Sequence, residues 1–339
     1  MSAYSGLFDA IGLRDWCDED KKPSLVSLSR LKGEEANWYD LKFPSLDNLH
    51  EACAKVPQTR DMTAGLEDGF LAIRPALRFV LDPLTQPLSW ALDGALAFFT
   101  ATPWWFLVPL LVLGSFLVSK SVKVAALVAS FFAFFLFTDH YTYATQTLAI
   151  IFVCTFICVL LGVPLGIYMS KSDRAQRAIT PILDMLQTLP TFVYLIPLIF
   201  LFKITEPKLY GMAIIMYAIV PVVRLTNLGI RLVDQSVIEA ANAYGLTSRQ
   251  KLLGVEIPLA LPNIMAGVNQ TIMMSLAMVV IASLVSAPGL GTLVLDGINN
   301  LRLGVGFVAG FAIVLLAILL DRVSKAALDR INAAQAQNQ

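Results

Sequence analysis

The sequence predicts an all-helical integral membrane protein with about seven transmembrane helices, and three observations carry that prediction. Of 339 residues, 57% are apolar and only 15% are charged, against about a quarter charged in an ordinary soluble domain. Apolar runs approaching the ~20 residues needed to cross ~30 Å of hydrocarbon succeed one another from Pro103 onward. Charge is also segregated: residues 1–102 hold ten Lys/Arg against fifteen Asp/Glu, and residues 103–339 hold fifteen against ten. A net charge of zero lacks the basic footprint of a nucleic-acid binder. Two histidines and four scattered cysteines leave little for a metal site or a disulfide framework.

Each element can be read from the pattern. The first residues, MSAYSGLFDAIGLRDWCDED, lack a basic region followed by an apolar one and do not read as a cleavable signal. Residues 1–65 are polar and read as loop or loosely folded chain. From Leu66 to Thr102, Leu77, Val80, Leu81, Leu84, Leu88, Leu92 and Leu96 recur at three- and four-residue steps, interrupted by Pro75, Pro83 and Pro87. That pattern predicts short amphipathic helices, either lying at the bilayer surface or packed as a cap on the body. Seven apolar runs come next, at 103–119, 124–137, 143–169, 182–202, 209–223, 263–287 and 305–320. With the N-terminus outside and the C-terminus inside, twelve basic residues of the body fall on the inner side. Only Lys203, Lys208 and Arg302 fall outside, as the positive-inside bias requires.

The longest stretch between two runs is Arg224 to Pro262, on the predicted inner side. Ser236-x-x-Glu239 reads as a capping box opening a helix that runs to Tyr244, with Gly245 in the left-handed conformation that ends it. Thr247-x-x-Gln250 reads as a second box, opening a short helix that Gly254 and Pro258 close. Two short helices joined at a glycine elbow would stand out from the membrane, with Ala240, Ala241 and Ala243 giving another surface close approach.

The segment EAANAYG, nine further residues and then VEIP resembles the EAA motif of permease subunits in ATP-binding-cassette importers. That motif reads E-A-A, three residues, G, nine residues, I-x-L-P. Glu239, Ala240, Ala241, Gly245 and Pro258 match it by position, and Val255 and Ile257 stand where Ile and Leu are usual. GVPLGIYMSKSDRAQR, PILDMLQTLPTFVYLIPLIFLF, IVPVVRLTNLGI and AGVNQTIMMSLAMVVIAS look more narrowly like the glycine betaine/proline betaine permeases of osmoprotectant importers. The likeness covers roughly residues 65–330.

The resemblance implies a type I ABC importer permease core and a place in the bacterial inner membrane. It implies a homodimer of this chain, two cytoplasmic ATPase subunits that use ATP and Mg, and an exterior substrate-binding protein. Glu239, Ala240, Ala241, Gly245 and Pro258 would belong to the coupling helices that seat in the ATPase. No GxxxxGK[ST] occurs in the chain, so hydrolysis would belong to that partner and this chain would bind no cofactor and carry no catalytic residue. The implied organisation is a polar exterior tail (1–65), interfacial helices (66–102), two accessory spans (103–137), the permease core (138–325) with its loop at 231–262, and an inner C-terminal tail (326–339). The implied substrate is glycine betaine, with choline, carnitine, proline betaine, trimethylamine N-oxide or an amino acid as alternatives. An ion-gradient-driven transporter is the rival from another class, and it would need intramembrane carboxylates rather than a docking loop.

Other residues carry a functional and a structural reading side by side. Gln187, Pro190, Phe192 and Tyr194, with Thr188, form a polar-aromatic stretch. They could line a substrate pathway, since broken helices often border cavities and aromatic faces attract quaternary ammonium groups; they could equally be ordinary packing. Asn269 and Gln270 could line the pore or bond between helices. Asp184 stands near a span boundary and is expected to pair with Arg174, Arg177 or a helix end rather than relay protons. Cys154 and Cys158 read as inert buried thiols, and Cys17 and Cys53 could pair in an oxidising exterior. Neither His50 nor His140 reads as a metal ligand, and Gly289-x-Gly291 reads as a turn.

Overall fold

The computed structural model describes residues 45–337 apart from residue 54. Most of the expected polar tail, with Cys17, therefore lies outside the described residues. Among the described residues every regular element is helical. The chain divides into two compact units, residues 1–77 and 78–339.

In the first unit, α1 (Leu46–Ala52) is tied to the chain just after it. The Asp47 carboxylate accepts from the Thr59 amide at 2.9 Å and from its hydroxyl at 3.1 Å. Cys53 is buried.

Helix α2 (Thr59–Ala101) corrects the expectation of several short helices: Pro75, Pro83 and Pro87 all lie inside one continuous 43-residue helix. An interior proline forfeits one backbone hydrogen bond and clashes with the preceding turn, yet the leucine stripe runs unbroken through all three. Within the second unit its later positions are packed, with Leu88 and Leu92 buried. Both leucine side chains lie against Gly211, which adds no side chain of its own between the helices.

After α2 the chain turns by 113° into α3 (Trp104–Ser119) and then α4 (Val122–Phe137). The centre of the second unit is three long helices: α5 (Tyr141–Lys171), α8 (Pro207–Arg231) and α11 (Ile257–Ala282). Helix α8 packs along both of the others. In hydrocarbon there is no hydrophobic force between helices, so close approach must come from small residues. A side chain at Gly166 would meet the Val223 carbonyl at 2.7 Å, and one at Gly267 would meet the Val222 backbone at 3.0 Å. Gly229 likewise lies against Asn263 and Ala260. Below the glycines, Met169, Leu183, Val220 and Val223 form one buried cluster, and Ile230, Ala260 and Ile264 another. Helix α12 (Leu290–Asn299) and α13 (Leu303–Gln337) pack together, and α13 also lies against α11, α3 and α4. The turn before α12 is fixed by the Leu290 amide, which donates to Thr147 Oγ1 at 2.9 Å.

All seven apolar runs fold as helix, but seven crossings are not what the described residues establish. Four helices are long and apolar enough to cross alone, and two bent pairs raise the number to six. The fourth run is one of those pairs: α6 (Asp173–Thr188) and α7 (Thr191–Leu201) meet at 97°. The 16-residue α4 is shorter than a typical span.

Candidate functional site

The segment between α8 and α11, termed the lever, is an exposed run held by side-chain caps and cross-contacts. The Asp234 carboxylate accepts from the Ser236 amide at 2.9 Å and caps α9 (Gln235–Ala243). The predicted box at Ser236 and Glu239 is therefore not formed. A carboxylate two residues upstream offers a charged acceptor to the same free amides, and it takes the cap position. That bond holds the Asp234 carboxyl below the ordinary aspartate value. Glu239 is left exposed on α9, as is Ala240, while Ala241 is buried.

At its far end α9 closes with a left-handed cap. Gly245 has φ +74°. Its amide donates to the Asn242 carbonyl at 2.9 Å, and the Leu246 amide donates to the Ala241 carbonyl at 3.2 Å. This is the paired 5→2 and 6→1 arrangement that glycine permits at a helix end. The second predicted box does form: Thr247 and Gln250 cap α10 (Ser248–Lys251) reciprocally. Lys251 reaches back across the elbow and donates to Asn242 Oδ1 at 2.9 Å.

Gly254 and Pro258 do not close α10, contrary to expectation. The chain passes through a π-helical segment, Leu252–Glu256, straight into α11, so residues 248–285 form one continuous helical stretch. Pro258 is the second residue of α11, just after the π segment, and because the helix is continuous there its missing amide forfeits a bond inside the helix rather than at a free end. The outer surface of the lever is partly apolar: Tyr244 is 87% exposed and Leu253 56%. A shallow concavity of about 640 Å³ lies between Leu246, Arg249, Gln250, Leu253 and Val255.

Polar contacts at the root of the lever were not legible as such in the sequence. Glu256, 3% exposed, pairs with Lys171 at the end of α5. Arg231 donates to the Met169 carbonyl at 3.0 Å, to Asp173 at 2.8 Å and to Asn227 at 3.1 Å. Asp184 pairs with Arg224 of α8, not with Arg174 or Arg177. The sequence signal for Glu256 was an acid standing alone at the edge of an apolar run. A second buried charge, Lys208, lies among Asp82 (2.7 Å), Glu206 (3.3 Å) and the Phe202 ring, where the sequence suggested only a loop cation.

The structure separates the six residues read as a substrate pathway. Pro190 stands at the α6–α7 break beside half-buried Gln187. Phe192 is 54% exposed while Tyr194 is buried, its hydroxyl 3.9 Å from Met278 Sδ. Two residues apart on a helix, they point to opposite faces. Asn269 bonds between helices, donating to Asp321 at 3.4 Å and accepting from Ser324, both on α13; Gln270 is exposed. Cys154 and Cys158 are free buried thiols. Among the described residues no three His, Cys, Asp or Glu stand together as a metal site would require.

Comparison with known proteins agrees with this architecture. The glycine betaine/proline betaine transport system permease protein ProW of Escherichia coli K12 is 47% identical over 184 residues, which cover 54% of this chain and 51% of that protein. The chain thus spans about half of ProW. The glycine betaine/carnitine transport permease protein GbuB of Listeria monocytogenes 10403S is 41% identical over 247 residues, covering 72% of this chain and 87% of that one. An inward-facing crystal structure of the MetNI methionine ABC transporter shares the fold at a TM-score of 0.51 and 18% identity, over 56% of this chain and 94% of the matched chain. Residues 159–333, which hold the lever, α8, α11 and the last part of α5, match the family described as "Binding-protein-dependent transport system inner membrane component", and the chain belongs to that family.

Proposed function

We propose that the chain is the membrane permease subunit of an ATP-driven ABC importer for a quaternary-ammonium osmolyte, glycine betaine first. The observation that carries this reading is the braced lever within the family-matched region. Its exposed face, Glu239, Ala240 and Tyr244 with the concavity beside Leu246 and Leu253, is a surface a partner can push. A rigid lever transmits displacement, whereas a loose loop would absorb it. The substrate class rests on the names of ProW and GbuB.

In this reading two copies form the pore in the inner membrane, and two ATPase subunits engage the levers from the cytoplasm. A binding protein delivers substrate on the outer side, where the N-terminus lies. ATP and its Mg are bound by the ATPase. Closure of the ATPases rocks the helices between inward- and outward-facing states. Glu239, Ala240, Ala241, Gly245 and Pro258 make or shape the ATPase contact. Gln187, Pro190 and Phe192 are the candidates for the pathway, at the α6–α7 break.

The test is uptake by vesicles carrying this chain with its co-purifying ATPase and binding protein. Radiolabelled glycine betaine should accumulate only with ATP on the lever side and the binding protein on the other. Choline, carnitine and trimethylamine N-oxide should compete more weakly. Uptake driven by an ion gradient without ATP overturns the reading.

A further inference from the structure

Both ends of the lever are held to one place. Arg231, the last residue of α8 before the lever, bonds the Met169 carbonyl and the Asp173 carboxylate. Glu256, the last residue of the π segment after the lever, pairs with Lys171. Met169, Lys171 and Asp173 are three successive odd positions across the corner where α5 gives way to α6. The lever therefore enters and leaves the membrane-embedded body through two charged contacts on a single hinge point.

The π segment belongs to the same arrangement. A π turn holds one more residue than an α turn and rotates the facing of the residues after it; such turns gather at functional sites. Here it accompanies a change from exposed Leu253 and Gly254 to Glu256 buried at 3% exposure and exposed Pro258. A carboxylate that deeply buried is costly unless paired, so its contact with Lys171 is not incidental surface pairing.

From the corner the chain leads directly to α6. There Arg224 of α8 holds Asp184, and one turn later comes the 97° break with Gln187 and Pro190 beside it. We propose that Lys171–Glu256 and Arg231–Asp173 form a two-point clamp that passes displacement of the lever to the α5–α6 corner and so to the α6–α7 break. The four residues are positioning residues. They touch neither ATP nor substrate, and their effect is on the amount of transport obtained per ATP hydrolysed. This rests on the importer reading above.

The experiment measures ATPase activity and glycine betaine uptake in the same vesicles for wild type, E256Q, D173N, the double variant E256Q/D173N and the charge swap K171E/E256K. Asp173 has a 76% exposed side chain, and without it Arg231 keeps its contacts to Met169 and Asn227, so D173N tests one jaw of the clamp without leaving an uncompensated buried charge. A coupling energy of ordinary size changes the linked process by about tenfold. The double variant should lose about that much uptake per ATP while the ATPase co-purifies at the wild-type ratio, each single variant less, and the swap, which keeps one jaw paired with its charges reversed, should lose less than E256Q. A purely structural role would instead lower the amount of assembled complex and leave the ratio of uptake to hydrolysis unchanged in the complex that survives. Should E256Q fail to assemble, D173N alone decides: an unchanged ratio overturns the clamp. Wild-type vesicles with no ATP-dependent uptake would overturn the importer reading instead, a result the variants do not enter.

Discussion

Asp234 and Gly245 set the two ends of α9 by different physics. Asp234 works through charge, accepting the Ser236 amide at a helix N-terminus. Its carboxyl is held below the ordinary value by that backbone bond first. A depressed carboxyl lends stability that is fully present above the unfolded pKa and is lost as pH falls through the folded one. Helix α9 should accordingly keep its cap at neutral pH and loosen only below the usual aspartate range. In Asp234→Ala it should be loosened at every pH, with faster amide exchange across Gln235–Ala243 as the readout; equal exchange in both proteins at pH 7 would contradict the capping role. Gly245 works through backbone freedom alone, because the space where its Cβ would stand is open. A side chain there costs about 1–2 kcal/mol for the left-handed conformation. The glycine was readable from sequence because few residues tolerate φ > 0. The N-cap was misread because Asp234 and Ser236 are both good caps, and periodicity does not say which of two neighbours arrives first.

At the scale of elements, glycine contacts between α5, α8 and α11 fix how closely the helices lie. Gly166 stands against a carbonyl and a Thr226 side chain, whereas Gly114 on α3 has nothing within 4 Å. Gly166→Leu should therefore lower the thermal midpoint of the detergent-purified protein by several degrees or prevent its assembly. Gly114→Ala should leave it within about a degree, since substitutions that meet no neighbour have small effects. Similar midpoints for the two would mean the three-helix junction is not close-packed. The long apolar helices were legible because about twenty uncharged residues have few alternatives to a helix in lipid. The breaks and joins were not. Three prolines fail to interrupt α2, while Leu189 and Pro190 accompany a 97° bend. A proline removes one hydrogen bond in each case, and packing around it decides whether the helix continues. The join of α10 to α11 through a π turn has no simple sequence pattern at all.

For the molecule as a whole, composition fixed the class and a spaced motif pointed to the role. Neither revealed which charges meet. Lys208 with Asp82, Lys171 with Glu256, and Arg224 with Asp184 join residues 40 to 126 positions apart. Lys208 with Glu206, by contrast, is a pair near enough in sequence to suggest itself. Pairing at long separations is a product of topology, and two such pairs, Lys171 with Glu256 and Arg231 with Asp173, tie the ends of the exposed segment to the α5–α6 corner.

The lever is proposed as the place where an ATPase engages this chain. The direct measurement is photo-crosslinking in native membranes from a probe placed at exposed Ala240, with a probe at exposed Ser130 on α4 as the control. An adduct with a nucleotide-binding ATPase is expected from Ala240 and none from Ser130. The adduct should weaken when Gly245→Asp is added, because the elbow can no longer hold its left-handed turn without strain. An ATPase that co-purifies with the chain but crosslinks from Ser130 and not from Ala240 would contradict engagement at the lever.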